Sequence, residues 1–244
     1  MKVSVSQLSH AYGSGRRALE DVSFELVSGV TALVGINGAG KSTLLAAMAG
    51  TLQPERGEVT LDSRSISGRG SRAVISRVAL MPQHMTMPTG VKTLDYVALL
   101  AWMRGAKNAR GLAVEALDRV GLADQRDNKL SELSGGMQRR VALAQALAVG
   151  PDVLLLDEPS TGLDPEQRAR MVALLHDLDG CVLLSSHVME DVTDAANRIL
   201  ILHEGRLVYD GTPADLVALA PMETRSGREA EQAFLQIIAR DRQK

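Results

Sequence analysis

The eight residues Gly35-Ile-Asn-Gly-Ala-Gly40-Lys41-Ser42 fit the pattern G-x-x-x-x-G-K-[ST], and their setting narrows the fold more than any other feature of the chain. They follow a short, mostly apolar run, Val30–Val34, and precede a helical run, Thr43–Ala49, closed by Gly50. A buried strand that turns through glycines into a helix sets up an anion site. The glycines let N–H groups turn inward as a nest at the helix N-terminus, Lys41 brings a point charge to β- and γ-phosphates, and the Ser42 hydroxyl can ligate Mg²⁺. The competing interpretation is a structural glycine turn. The strand before and the helix after favour nucleotide binding.

Composition removes several classes. At 45% hydrophobic and 23% charged, the 244 residues suit one large or two small folded domains, not a disordered chain. Lysine and arginine number 27 against 29 acidic residues, so the basic excess of a whole-chain nucleic-acid footprint is missing. The lone Cys181 excludes an internal disulfide or thiolate metal cluster, fits a reducing compartment and is expected in the core. The first residues, MKVSVSQLSHAYG, lack an apolar signal region, and the longest apolar run, Val97–Met103, falls far short of the roughly 20 residues that span a bilayer. The expectation is a chain neither exported nor membrane-spanning.

Residues 1–34 read as strands, with Val22, Phe24 and Leu26 alternating with polar neighbours. Asp62–Arg77, rich in Ser, Gly and Arg, reads as a surface loop or hairpin. From Val91 to about Val149 the period turns helical, with Leu94, Val97, Ala98, Ala101 and Trp102, then Val114, Leu117 and Val120, on apolar faces. The runs Val153–Leu156, Val182–Leu184 and Ile199–Leu202 then alternate with helical patterns at Pro165–Leu178 and Val188–Ala196. That alternation predicts an α/β fold with a parallel sheet covered on both faces. Ser226–Arg240 predicts an amphipathic helix, most simply packed on the body through Ala230, Ala233, Phe234, Ile237 and Ile238.

The run Val153–Glu158 reads as a buried strand ending in two adjacent carboxylates, and alternation along it would give them different tasks. Asp157 would hold Mg²⁺ or its water, and Glu158 would polarise the water that attacks the γ-phosphate. The alternative is an exposed acidic pair. Leu133-Ser134-Gly135-Gly136-Met137-Gln138 precedes the helical run Arg139–Val149, with Ser134 placed as N-cap. Capping does not explain two consecutive glycines, which favour close backbone approach to something. A second glycine-lined helix start is a second anion site, one more than a single triphosphate needs.

With these residues in view, the chain resembles an ABC-type ATPase, the nucleotide-binding subunit of an ABC transporter, over roughly residues 1–215. LSGGMQ at 133–138 is similar to that family's signature motif. The resemblance implies a P-loop NTPase core with a mainly parallel sheet, an N-terminal antiparallel β-subdomain and an inserted α-helical subdomain. Its parts would be 1–86 plus 150–219 for the core and β-subdomain, 87–149 for the helical subdomain with the signature, and 220–244 for a C-terminal amphipathic helix. It further implies a head-to-tail dimer in which Ser134, Gly135, Gly136 and Gln138 of one protomer complete the ATP site on the other's Gly35, Asn37, Gly38, Ala39, Gly40, Lys41, Ser42 and Thr43. Tyr12 sits where the family stacks an aromatic on adenine; a core or surface tyrosine is the alternative. Gln83, after the strand Val78–Met81, resembles the glutamine that touches Mg²⁺ or the attacking water. The implied metal set is Ser42, Gln83 and Asp157. Asp164 is both a capping-box residue, with Pro165 and Gln167 behind it, and a match to the loop that communicates across the dimer. His187 resembles the histidine that contacts the γ-phosphate. His10, His84, His176 and His203 show no metal-ligand spacing and are expected to be solvated or packed.

The implied activity is hydrolysis of Mg·ATP to drive transport, with permease subunits on separate integral-membrane chains, a second ATPase chain of the same or another kind, and no nucleic acid. The chain would lie on the cytoplasmic face of the cell membrane. His187–Val192 and Glu231–Leu235 look more like ATPases of the ABC-2 exporter type than those of amino-acid or sugar importers. The competing class, soluble ABC proteins of translation or DNA repair, usually carries two ATPase domains, a long coiled coil or a basic arm. A catalytically dead module would be expected to lack Lys41, Glu158 or His187, and all three are present.

Overall fold

The structure, a computed structural model, describes residues 1–13, 15–68, 71–221, 224 and 227–243. Part of the Asp62–Arg77 segment and the first residue of the expected C-terminal helix, Ser226, fall outside the described residues.

Two sheets organise the chain. In the smaller, β1 (Val3–Tyr12) lies between β2 (Arg16–Leu26) and β4 (Arg56–Leu61), and the two-residue β5 (Arg64–Ser65) closes a hairpin on β4, every pairing antiparallel. The Asp62–Arg77 segment is therefore a hairpin followed by a short helix, α2 (Arg72–Ile75). The larger sheet has the order β10-β9-β3-β8-β7-β6. Here β3 (Gly29–Val34), β6 (Val78–Met81), β7 (Val153–Leu156), β8 (Cys181–Ser186) and β9 (Arg198–His203) are parallel, and β10 (Arg206–Gly211) is an antiparallel edge.

The central strands are apolar on both faces because both faces are covered. Leu33, Val153, Leu155, Cys181, Leu183, Leu200 and Leu202 point towards the small sheet and α1 (Lys41–Met48). Their neighbours Ala32, Val34, Leu154, Leu156, Val182, Leu184, Ile199 and Ile201 point to the opposite layer. That layer draws on the helices α3 (Thr93–Met103), α4 (Ala109–Arg119), α5 (Gly135–Leu147), α6 (Pro165–His176), α7 (Met189–Ala195), α8 (Pro213–Val217) and α9 (Glu229–Asp241). Cys181 is a buried core residue, and burial raises its thiol pKa.

Trp102 departs from expectation. The buried stripe of α3 is Leu94, Val97 and Ala101, and Trp102, one position further round, is 67% exposed beside the equally exposed Met103. The chain also holds β10 and α8, which were not expected. Helix α9 packs on the body as predicted, burying Ala233, Phe234 and Ile238 against α7, α8 and the end of the sheet. The fully buried His203 tethers it: Asp241 can only accept, so His203 donates from Nδ1 to its carboxylate at 2.6 Å.

Phe234→Ala is expected to lower the unfolding free energy by about 3 kcal/mol, measured by urea denaturation. Deletion beyond Ala220 should lower it further. Both chains should still bind nucleotide, and loss of binding in a folded variant would contradict a purely structural α9.

Candidate nucleotide site

The glycine loop leaves the end of β3 and runs into α1, which starts at Lys41. Two close approaches explain its glycines. A Cβ on Gly35 would lie 2.4 Å from the Leu202 carbonyl oxygen, and one on Gly40, at φ +107°, would lie 2.3 Å from that of Ala18. The loop is thus seated between β9 and the small sheet. No acidic residue occupies the first turn of α1, so the positive end of its dipole is left for an anion.

Lys41 is 6% exposed and curls back over its own loop, donating from Nζ to the Gly35 carbonyl at 2.6 Å and the Ile36 carbonyl at 3.4 Å. Glu158 Oε1 lies 3.8 Å from the same nitrogen. Burial pulls the Lys41 ammonium below the ordinary lysine range, and the Glu158 and Asp157 carboxylates act in the opposite direction.

A pocket of about 540 Å³ opens here, lined by Asn37–Thr43 together with Tyr12, Ala18, Gln83 and Glu158. Sequence segments far apart therefore meet at one cavity. Tyr12 ends β1 half exposed, its hydroxyl 3.3 Å from Thr43 Oγ1 and its ring edge-on to His10, so it is not a core residue.

The strand β7 stops at Leu156, so the two carboxylates lie in the turn beyond it. Alternation along a strand does not separate them; the turn does. Asp157 is buried, and its Oδ1 accepts the Ser185 hydroxyl at 2.6 Å. Glu158 takes φ +52°, and its N–H donates to the same Ser185 oxygen at 2.9 Å. Its carboxylate, also buried, accepts from His187 Nδ1 at 2.5 Å and from Thr161 Oγ1 at 3.2 Å. Ser185 and Arg139 are functional candidates that the sequence motifs did not flag. Arg139 donates to the carbonyls of Gln83, at 2.7 Å, and of Glu158. The available signals were a hydroxyl ending an apolar strand and a cation directly after LSGGMQ.

Ser134, Gly135, Gly136, Gln138 and Asp164 do not line this pocket. Ser134 caps α5, accepting from the Met137 N–H at 3.3 Å. Gln138 uses its amide locally, donating to the Leu130 and Leu133 carbonyls at 3.2 Å each. The two glycines divide: a Cβ on Gly136 would meet the Gln167 side chain at 2.9 Å, and one on Gly135 would meet nothing within 4 Å. Asp164 caps α6 through the Gln167 N–H at 2.8 Å, while the Gln167 side chain lies over Gly136.

Among the described residues no three His, Cys, Asp or Glu side chains gather as a metal cage. The Ser42 hydroxyl, the Asp157 carboxylate and the Gln83 amide are oxygen donors, the chemistry that suits a hard cation such as Mg²⁺ bound jointly with phosphate.

A glycine loop feeding a helix, a buried lysine at the start of that helix and acidic residues just beyond β7 define a P-loop nucleoside triphosphatase. Residues 19–161 match the family described as ABC transporter. An ABC transporter ATP-binding protein of Geobacter sulfurreducens is 36% identical over 219 residues, covering 88% of each chain. The phosphonates import ATP-binding protein PhnC of Thiobacillus denitrificans is 35% identical over 233 residues, 89% of this chain and 90% of that one. The structure of CbiO1 from Clostridium perfringens, described as part of the ABC transporter complex CbiONQ, superposes with a TM-score of 0.77 at 27% identity, over 88% of this chain and 90% of that one. The chain belongs to the ABC transporter ATP-binding family, and it is an ATPase coupled to transport.

The lowered Lys41 pKa makes a prediction about pH. Between its folded value and the ordinary lysine value the unfolded chain binds more protons, so stability rises as pH increases through that window. Urea unfolding at a series of pH values should show the wild type gaining on Lys41→Met as pH rises towards the ordinary lysine value. A flat or falling difference would contradict the burial penalty.

Proposed function

We propose that this chain hydrolyses Mg·ATP at the glycine-loop pocket with Glu158 as general base, and that the work is delivered to separate membrane subunits. The observation that carries the proposal is the convergence on one buried carboxylate of Lys41 from the loop and His187 from beyond β8. Glu158 would take the proton of the attacking water, and His187 would steer that carboxylate and meet the γ-phosphate. Tyr12 would stack on adenine. Mg²⁺, held through Ser42, Asp157 and Gln83, would neutralise phosphate charge. Glu158→Gln is expected to lower turnover by about 10²–10⁴-fold with ATP binding retained, read by steady-state phosphate release and nucleotide titration. Equal turnover in the two proteins would remove Glu158 from the role.

The signature belongs to a second chain's site in this proposal. Among the described residues nothing gives Gly135 a steric reason to lack a side chain, which supports an approach from outside, and Ser134 opens a 13-residue helix away from the pocket. Asp164, beside the Gly136–Gln167 contact, would both cap α6 and sense the partner across the dimer. Mixing a Lys41→Ala chain with a Ser134→Arg chain should restore partial hydrolysis that neither has alone, because both lesions then fall in one composite site. Demonstrated mixed dimers without recovery would contradict composite sites that work independently.

The division into 1–86 plus 150–219, 87–149 and 220–244 is the working map of moving parts. No helix among the described residues is long and apolar enough to cross a membrane; in this proposal the transport path is built by other chains. We assign their docking surface to the cleft of about 1210 Å³ between α2, β6 and the end of α3, rimmed by Trp102 and Met103. That would place the chain on the cytoplasmic face of the cell membrane. The second ATPase chain would be a copy of this one or a related subunit. Export is inferred from His187–Val192 and Glu231–Leu235, the side chains of Glu190 and Asp191 lying outside the described residues. PhnC is an importer by its name, so family membership itself carries no direction. Recovery of a ribosome or DNA-repair complex in place of a membrane chain on native purification would favour the soluble class instead.

A further inference from the structure

Arg139 reaches away from its own helix. One guanidinium nitrogen donates to the Gln83 carbonyl at 2.7 Å and another to the Glu158 carbonyl. Those carbonyls belong to the turns after β6 and β7, so a single planar fork joins three segments: the helix capped by Ser134, the turn carrying Gln83 and the turn carrying Glu158. The Nε of the same side chain is buried with no hydrogen-bond partner among the described residues. Burial opposes the charge on Arg139, and the nearby Glu158 and Asp157 carboxylates favour it. A lysine, with one compact ammonium, does not reproduce a rigid fork across two carbonyls.

What the fork holds is a strained residue. Glu158 is a non-glycine at φ +52°, a region that such residues occupy only where the surroundings over-determine them. Ser185 fixes its N–H and Arg139 fixes its carbonyl, so the peptide groups on both sides of the Glu158 Cα are tied. The carbonyl also accepts the Thr161 N–H at 3.3 Å inside the turn, so Arg139 is what ties it to another element; without that tie the turn is free to move as a unit and to swing the carboxylate away from Lys41 and His187.

We propose that Arg139 is a positioning residue for ATP hydrolysis: it locks the turn that aims the Glu158 carboxylate, and makes that aim depend on where the Ser134 helix stands. The proposal rests on Glu158 being the base. Arg139 does not line the nucleotide pocket, so its effect falls on turnover and not on nucleotide affinity.

The test compares the full chain with Arg139→Met, Arg139→Lys, Glu158→Gln and the double variant Glu158→Gln/Arg139→Met, measuring kcat and KM for Mg·ATP and the melting temperature of each. Arg139→Met should lose on the order of 10²-fold in kcat, with KM changed by roughly twofold or less. Arg139→Lys should keep the charge but recover only a minor share of turnover. The double variant should be no slower than Glu158→Gln, because the group being aimed is already gone. Full turnover in Arg139→Lys, or a further loss in the double variant, would overturn the positioning role while leaving Glu158 as base. Wild-type turnover in Glu158→Gln would instead overturn the base assignment, and the proposal with it. Should Arg139→Met fail to fold, Arg139→Lys decides alone, by lowered kcat at unchanged KM or by full activity.

Discussion

Three charges are buried where the parallel strands end, the Lys41 ammonium and the Asp157 and Glu158 carboxylates, and the half-buried Arg139 guanidinium lies against them. Burying an ion alone is costly, and each of these is tolerable because the others and a few hydrogen bonds compensate it. Lys41 donates hydrogen bonds to the carbonyls of its own loop, Asp157 accepts the Ser185 hydroxyl, and Glu158 is held from its N–H, its carbonyl and both carboxylate oxygens. Removing one member leaves another uncompensated, so catalysis and stability are coupled in this cluster. The surrounding sheet supplies the rigidity: strands buried on both faces cannot shift to relieve a mismatch at their ends without opening two cores.

What could be read from the sequence follows from how local each signal is. The glycine loop, the runs Val153–Leu156 and Cys181–Ser186, the caps at Ser134 and Asp164 and the packed face of α9 are written in adjacent or periodically spaced residues. The ties that complete the site are not. Arg139 to Gln83 spans 56 positions, and Ser185 to Asp157 spans 28, so nothing in the neighbourhood of either residue announces its partner. Strand β10 escaped notice because an edge strand, half buried and polar in part, has no unbroken apolar run. Trp102 misled for the opposite reason: an apolar residue beside a buried stripe passes for a member of it until the phase of the helix is known.

The turn after β7 shows the limit of periodic reasoning at a functional site. Two adjacent acidic residues suggest opposite faces of a strand, yet the strand has ended and a left-handed residue sets their divergence. Gln138 makes the same point from the signature helix, where a polar side chain in a motif turns out to fasten the loop that precedes it.

The turn between β9 and β10 has a consequence for engineering. Gly205 donates its N–H to the Ala39 carbonyl of the phosphate loop at 3.0 Å and accepts the Glu20 N–H of the small sheet at 2.8 Å. Hairpin tips are ordinarily where a chain accepts affinity tags, grafted peptides or new termini. This tip is a keystone between two sheets and the triphosphate cradle, so its length is fixed by geometry that lies elsewhere. An insertion between His203 and Arg206 would displace the floor of the nucleotide site, and permissive positions for cargo are to be sought away from this hairpin.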